Sequence, residues 1–273
     1  MIYTAHELVG KTFEGYHIDV FVEGNGVSGI FVASKNAVYR ILKIGLDHTA
    51  EALIEHEREI LQSLSHPNIV QYVETIHINN MPALVLFRYI KGPITRYEKN
   101  FGEEEIEALF LELRKALSYL ESQEIVHCDI KPENVVLNHL GKPVLIDFGA
   151  AHRSGEIRDV FYGSPIYAAP EALKYNQTSF FSDRYSLAKM ICLLVFPSST
   201  VEEDRDFADL FSTTTFSEES VRSLMRFLSV DPKQREFYHA KQEIVVEPQP
   251  KEKDNKGLWL VICLIICIIF ALF

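Results

Sequence analysis

The stretch HCDIKPEN, residues 127–134, decides how this chain folds, and the rest of the sequence can be placed around it. Asp129 and Asn134 stand five residues apart on a predicted loop with Lys131 between them, so a base, a cation and an amide oxygen come together. Asp147, in the later run VLIDFG, adds a second hard oxygen ligand of the kind that Mg²⁺ prefers. These residue types at this spacing predict a phosphoryl-transfer site.

A glycine-rich segment lies upstream of this loop. Gly24, Gly26 and Gly29 connect the β-rich runs YHIDVFV and IFVA, which predicts a hairpin. Glycine lets backbone N–H groups approach an anion closely, as a phosphate site requires. Taken alone, the same glycines also fit a flexible hairpin without a ligand.

Lys43 lies on the next predicted strand, AVYRILKI. Because side chains alternate along a strand, Ile41 and Lys43 face the same side. The ammonium group of Lys43 is therefore predicted to lie beneath the glycine hairpin. The helix predicted over residues 51–64 offers carboxylates that can neutralise it, at Glu51, Glu55, Glu57 and Glu59.

These motifs resemble, in order, those of the eukaryotic-type protein kinase family, from about Gly15 to Arg235. The resemblance implies that the chain binds ATP and Mg²⁺ and transfers a phosphate. Lys131 within DIKPEN is similar to the serine/threonine-specific form of the loop. Gly163–Glu171 resembles the substrate-docking segment, which small-molecule kinases generally lack, so the implied substrates are proteins.

The resemblance also implies a role for each residue of the site. Asp129 would accept the proton of the substrate hydroxyl, with Lys131 beside it. Glu57 would be the partner of Lys43, because it precedes HPNIV by nine residues, as the family's glutamate does. The metal ligands would be Asn134 and Asp147, and the phosphate-binding residues would be Gly24, Gly26, Gly29 and Lys43.

The predicted adenine site departs from the family pattern. Phe31 stands where valine is usual and Ile41 where alanine is usual, so the roof of the pocket is predicted to be narrow. Val136, the floor residue, is smaller than the usual leucine. The hinge is predicted in the run LFRYI, at Phe87, Arg88 and Ile90. A crowded pocket leaves a membrane-anchored pseudokinase scaffold as the alternative to an active enzyme.

The same resemblance assigns structural roles to three charged residues. Asp183, in SDRYSLA, is expected to hold the catalytic loop, and Arg235 is expected to pair with Glu171. Cys128 stands before Asp129, where regulated kinases usually carry an arginine that binds a phosphate. Regulation by phosphorylation of the neighbouring segment is therefore not expected.

The order of the predicted elements is that of an α+β chain with the two-lobed protein kinase fold. Residues 1–90 would form a small antiparallel β-sheet lobe with one helix, the N-lobe. Residues 91–241 would form the larger, mostly helical C-lobe. Residues 242–257, with alternating charge and two prolines, have the composition of a linker.

The run LWLVICLIICIIFALF, residues 258–273, is apolar throughout and predicts a C-terminal transmembrane helix. At about 1.5 Å per residue it would be roughly 24 Å long, somewhat shorter than a hydrocarbon core of about 30 Å. Lys251, Lys253 and Lys256 precede it, which predicts a cytoplasmic kinase domain. The expected partners are the lipid bilayer and protein substrates at or near it, with a homodimer through this helix as a further expectation. A buried core helix in a soluble kinase is the alternative.

Composition excludes other classes of protein. The net charge of −11 has the wrong sign for binding to the nucleic-acid backbone, so no nucleic-acid partner is expected. The four cysteines show no metal-ligand spacing, so no structural zinc is expected either.

Overall fold

The N-lobe is built on strands rich in β-branched and aromatic residues, which suit a pleated and half-buried surface. The computed structural model describes residues 4–97, 101–156, 159–196 and 207–237, which belong to one compact unit ending at Phe237. The strands of the N-lobe are β1 (Thr12–Phe13), β2 (Tyr16–Gly24), β3 (Ser28–Lys35), β4 (Val38–Gly45), β5 (Tyr72–Ile78) and β6 (Met81–Phe87). They form one antiparallel sheet in the order β1-β2-β3-β4-β6-β5.

Two helices accompany this sheet, α1 (Ala5–Leu8) and α2 (Ala50–Leu61). The second of them is the helix that the sequence predicts over residues 51–64. Ile54, Glu57 and Leu61 recur at intervals of three and four residues, so they share one face of α2, and all three are buried. A carboxylate therefore enters the interior together with the apolar side of the helix.

The C-lobe is organised around its longest helix, α3 (Glu103–Ser122). Three glutamates occupy the first turn of α3, where the positive end of the helix dipole favours negative charge. Leu109, Leu113, Ala116, Leu117 and Leu120 recur at helical spacing along one side of α3, and all five are buried.

The remaining elements of the C-lobe are short strands and helices. The strands are β7 (Gly92–Pro93), β8 (Ile125–Val126), β9 (Val135–Leu137), β10 (Pro143–Leu145) and β11 (His152–Arg153). The helices are α4 (Pro170–Tyr175), α5 (Phe180–Val195), α6 (Phe207–Phe211) and α7 (Glu218–Phe227). β9 pairs with both β10 and β7, and β11 pairs with β8. These small sheets carry the loops that border the cleft between the lobes.

Two apolar clusters form the interior. The smaller one lies on one face of the N-lobe sheet and includes Phe31, Leu42 and Val85. The larger one continues from Ile54 of α2 through the C-lobe as far as Phe227. This arrangement confirms the predicted combination of a small β-sheet lobe and a helical lobe.

The predicted membrane segment is not tested by these elements. Within the described ranges, no helix combines the length and the apolar character that crossing a membrane requires. The predicted linker, residues 242–257, and the predicted transmembrane helix, residues 258–273, both lie outside the described residues. The last four residues of the predicted C-lobe, 238–241, also lie outside them.

Candidate active site

A three-residue ion cluster lies at the cleft between the lobes. The Nζ atom of Lys43 on β4 is 2.6 Å from Oε2 of Glu57 and 2.6 Å from Oδ1 of Asp147. The other oxygen of Glu57 accepts the backbone N–H of Phe148 at 3.0 Å. Of the four carboxylates that the sequence offers to Lys43, the structure therefore brings Glu57 to it, whereas Glu55 pairs with Arg58.

Burial and charge act against each other in this cluster. Burial alone would lower the pKa of Lys43, but the carboxylates of Glu57 and Asp147 outweigh it and raise that pKa above its usual value. Burial likewise acts to raise the pKa of Asp147, and the Lys43 ammonium holds it below its usual value. For Glu57, which is only 1 % exposed, burial prevails over Lys43 and raises the pKa. The two groups that face the cleft, Lys43 and Asp147, thus keep their charges at neutral pH.

The catalytic-loop residues form a second cluster. The amide Nδ2 of Asn134 donates to the backbone oxygen of Asp129 at 2.8 Å and to its Oδ2 at 2.9 Å. The Nζ of Lys131 lies 2.7 Å from the same Oδ2 and donates to Oγ of Ser164 at 3.0 Å. The structure therefore brings together the three residues that the sequence places between positions 129 and 134.

Buried polar groups hold this loop in position. The carboxylate of Asp183 on α5 accepts the backbone N–H groups of His127 at 2.7 Å and of Cys128 at 2.9 Å. This confirms the structural role predicted for Asp183. Burial raises its pKa to about 7, although both N–H groups act to lower it. Cys128 has a φ of +71° and Asp147 a φ of +61°, a conformation that costs free energy and recurs at functional sites.

The glycine hairpin lies above the Lys43 cluster, between β2 and β3. Oδ1 of Asn25 accepts the backbone N–H groups of Val27 at 3.1 Å and Ser28 at 3.0 Å, which fixes the turn. Gly26 has a φ of +85°, and a Cβ atom at Gly24 would lie 2.7 Å from the carbonyl oxygen of Ser28. Both positions therefore need glycine, for different reasons.

The placement of Phe31 corrects the sequence-based description of the adenine pocket. On β3, Phe31 pairs with Leu42 and is fully buried in the smaller apolar cluster, on the opposite face of the sheet from Lys43. Residues paired across strands share a face, so the residues on the side of Lys43 and Ile41 are Ile30 and Val32. Phe31 therefore does not narrow the cleft. The sequence alone does not identify Ile30 and Val32, because their face follows from the register in which β3 pairs with β4.

The other residues predicted to surround adenine lie nearer the hinge. Val136 of the C-lobe belongs to the larger apolar cluster, and Ile41 of the N-lobe packs against that cluster. Phe87 and Ile90 are exposed, and the guanidinium of Arg88 stacks on the ring of Tyr39.

A cavity of about 910 Å³ lies at the end of the cleft where the phosphates are predicted to bind. Four residues predicted for phosphate, metal or ion-pair roles line it: Gly24, Lys43, Glu57 and Asp147. The lining also includes Ile30 and Ser28, which the sequence analysis did not single out. The predicted residues that do not line it are Gly26, Gly29, Phe31, Ile41, Phe87, Arg88, Ile90, Val136, Asp129, Lys131 and Asn134.

The predicted docking segment, residues 163–171, is fixed at both ends. At its start, a Cβ atom on Gly163 would lie 2.6 Å from the carbonyl oxygen of Cys128, so the segment passes very close to the catalytic loop. At its end, Glu171 forms a bidentate pair with Arg235, at 2.6 Å and 3.1 Å. The predicted pairing of Glu171 with Arg235 is confirmed.

A family comparison agrees with this geometry. A protein kinase domain model matches residues 3–244. The chain belongs to the protein kinase family. The same kinase domain shares 30 % identity over 190 residues with the serine/threonine-protein kinase dkf-2 of Caenorhabditis briggsae. It shares 36 % identity over 140 residues with the calcium/calmodulin-dependent protein kinase kinase of Caenorhabditis elegans, and 32 % over 181 residues with the serine/threonine-protein kinase kin-29 of the same organism.

These alignments cover 66 %, 48 % and 62 % of this kinase, respectively. They cover only 16 %, 26 % and 22 % of the relatives. The chain therefore spans about a quarter or less of the length of these relatives, and the similarity concerns the kinase domain.

Proposed function

We propose that this kinase transfers the γ-phosphate of ATP to serine or threonine hydroxyls of protein substrates. The observation that carries the proposal is the state of the Asp129 carboxylate. Its Oδ2 is held by Asn134 and Lys131, whereas its Oδ1 is buried and has no hydrogen-bond partner among the residues that the structure describes. An unpaired buried carboxylate oxygen costs free energy, and it is suited to accept the proton of a substrate hydroxyl.

The residues present fit ATP and Mg²⁺. Because Asn134 uses its Nδ2 to bind Asp129, its Oδ1 stays available as a hard ligand. The Asp147 side chain is 45 % exposed and lines the cavity, so its second oxygen can serve as the other ligand. When bound, Mg²⁺ neutralises the negative charge that the phosphates carry. The ammonium of Lys43, fixed by Glu57, offers a donor to phosphate oxygens at the same end of the cavity.

Each residue of the site then has a distinct task in the transfer. The glycine hairpin presents backbone N–H groups to the phosphates, and Lys43 binds them from below. Asp129 orients the acceptor hydroxyl and accepts its proton at Oδ1. Lys131, between Asp129 and Ser164, places a positive charge where the phosphate passes to the acceptor.

The pseudokinase alternative loses the larger part of the argument that supported it. That argument was a cleft narrowed by Phe31 and Ile41, and Phe31, the larger of the two, lies on the far face of the sheet, so only Ile41 remains on the side of Lys43. A scaffold that only binds partners also has no need of an unpaired buried oxygen on Asp129. Catalysis is therefore the better supported function.

The function is tested by incubating the full-length chain with γ-labelled ATP, Mg²⁺ and dephosphorylated casein. We expect label on serine and threonine, and none above background with Asp147→Asn. Asp209→Asn, a change in α6 outside the described site, is the matched control and should keep the wild-type rate. Equal labelling by wild type and Asp147→Asn would contradict the proposal.

We also propose that residues 258–273 tether the kinase to a membrane, with the catalytic domain in the cytoplasm. The support is the sequence of the run, which carries no charge, and the three lysines at positions 251, 253 and 256. Substrates would then be proteins at or near that membrane, since the linker of residues 242–257 reaches at most about 3.3–3.6 Å per residue.

The tether is tested by replacing Ile265 and Ile266 with lysine. Each lysine adds roughly 2.5 to 3.5 kcal/mol to the cost of insertion at the centre of a span. We expect the double variant to move from the membrane pellet to the supernatant after carbonate extraction while keeping its transfer rate. Retention in the pellet would refute this anchor, and loss of folding would identify the run as a core helix.

A further inference from the structure

A buried guanidinium on α5 takes no part in the site described above. Arg184 is only 3 % exposed and directly follows Asp183. Its Nη1 donates to the backbone carbonyl of Arg235 at 2.8 Å, and its Nη2 pairs with the carboxylate of Glu121 at the end of α3. Its Nε is buried without a partner among the described residues. Burying a cation in this way is costly, because it loses its hydration.

Aromatic rings cover this guanidinium. Its Cζ atom is 3.9 Å from the centroid of Phe237 and 5.1 Å from that of Phe181, both within the range of cation–π contacts. Phe237 is itself half-buried and packs edge-on against Phe227 of α7, with centroids 5.6 Å apart. The last residue of the compact unit is therefore fixed on the side chain of Arg184.

The contacts of Arg184 lead to the docking segment. Arg184 binds the backbone of Arg235, and the guanidinium of Arg235 binds both oxygens of Glu171, where that segment ends. The neighbouring residue on α5, Asp183, holds the catalytic loop. Asp183 thus holds the catalytic loop directly, and Arg184 contacts the residue whose guanidinium holds the end of the docking segment.

We infer that Arg184, held in place by Phe237, is a positioning residue for the substrate-docking segment, residues 163–171. This inference rests on the proposed kinase function, because it names how the acceptor is positioned. Arg184 touches no reacting group, so its effect is on the protein acceptor and not on the nucleotide. Phe237, the last residue of the compact unit, thereby acts on the acceptor through Arg184.

The first test measures the KM for dephosphorylated casein and for MgATP with full-length Arg184→Lys in detergent micelles. Lysine keeps the charge but lacks the planar guanidinium group, which contacts a carbonyl, a carboxylate and two aromatic rings at the same time. We expect the KM for casein to rise roughly tenfold and the KM for MgATP to stay within about twofold. Phe237→Leu, which keeps an apolar side chain, should raise the casein KM about threefold, and Phe237→Tyr should restore it.

Arg114→Lys is the matched control. Arg114 also faces the ring of Phe237, at 6.0 Å, but the bond to the Arg235 carbonyl belongs to Arg184. We expect this control to keep both KM values. A parallel rise of both KM values in Arg184→Lys, or a lower melting temperature with both KM values unchanged, would overturn the inference. If Arg184→Lys does not fold, the same comparison of the KM for casein with the KM for MgATP is made with Phe237→Leu.

A second measurement separates this inference from the proposed function. Hydrogen exchange in full-length Arg184→Lys should become faster in residues 163–171 and stay at the wild-type rate in the glycine hairpin, residues 24–29. This result needs no turnover. If the wild type labels no casein, the proposed function fails while the exchange pattern still supports or refutes the inference. Unchanged exchange in residues 163–171 would refute it.

Discussion

The glycine hairpin and the catalytic loop both border the cleft, but they are held in place by different interactions. The hairpin between β2 and β3 depends on backbone hydrogen bonds and on one exposed side chain, Asn25. The catalytic loop depends on buried polar side chains, Asp183 from α5 and Asn134 from the loop itself. A loop made of backbone can adapt to a ligand, whereas a loop held by single buried side chains keeps one geometry. Substitutions should therefore act gradually in the hairpin and abruptly in the catalytic loop.

The largest effect is expected for Asp129→Asn. An amide at this position cannot accept the proton of the acceptor hydroxyl, so the rate of phosphate transfer should fall by roughly 10²- to 10⁴-fold. The affinity for MgATP should stay near the wild-type value, because the ion cluster of Lys43, Glu57 and Asp147 is intact. Single-turnover transfer and calorimetric titration with MgATP measure the two quantities. A wild-type transfer rate would contradict the role of Asp129.

Asp183 tests how the catalytic loop is held. Asp183→Ala leaves the buried N–H groups of His127 and Cys128 without their acceptor, at a cost of about 1–3 kcal/mol for each group. Asp183→Asn keeps one acceptor oxygen but turns an NH2 group toward the other N–H, so it should lose at least about half as much. Denaturant unfolding gives the free energies, and equal stability of the alanine variant and the wild type would refute this account.

Sequence-based predictions and the structure agree best where the pattern of residues lies within a single helix or strand. The interval of three and four residues that places Glu57 with Ile54 and Leu61 on the buried face of α2 can be read from the sequence. The side of the sheet that Phe31 occupies cannot, because it depends on how β3 pairs with its neighbours, and the β2–β3 ladder contains register shifts. The role of Arg184 could not be predicted from the sequence, because its hydrogen-bond partners come from distant parts of the chain.

The hairpin is tested by a pair of glycine substitutions. At Gly24, an added Cβ would lie 2.7 Å from the Ser28 carbonyl oxygen, so the hairpin must open, and we expect the KM for MgATP to rise roughly tenfold in Gly24→Ala. At Gly26 the space is open and only the φ of +85° is unfavourable, at about 1–2 kcal/mol. Gly26→Ala should therefore raise the KM by a smaller factor. Steady-state kinetics will show whether this order holds, and the reverse order would contradict the steric argument.

The smallest effect concerns His127 and pH. Burial lowers the pKa of His127 below its usual value of 6.5, against the charges of Asp129 and Asp147, which act to raise it. Below pH 6.5 the unfolded chain binds a proton on this histidine that the folded chain does not bind. The free energy of unfolding should therefore fall as the pH drops below 6.5, by at most about 1.4 kcal/mol per pH unit from this group.

Comparing His127→Gln with the wild type isolates this contribution. Both chains share all other titrating groups. The free energy of unfolding of the wild type should therefore fall relative to that of His127→Gln as the pH drops from 7 to 5. His66→Gln is the control, because burial also lowers the pKa of His66, but this side chain is only half-buried and its contribution should be smaller. The catalytic loop, unlike the hairpin, would then lose stability in mild acid, because the buried imidazole of His127 resists protonation. A difference that stays constant between pH 7 and pH 5 would mean that His127 titrates in the folded chain as it does in the unfolded one.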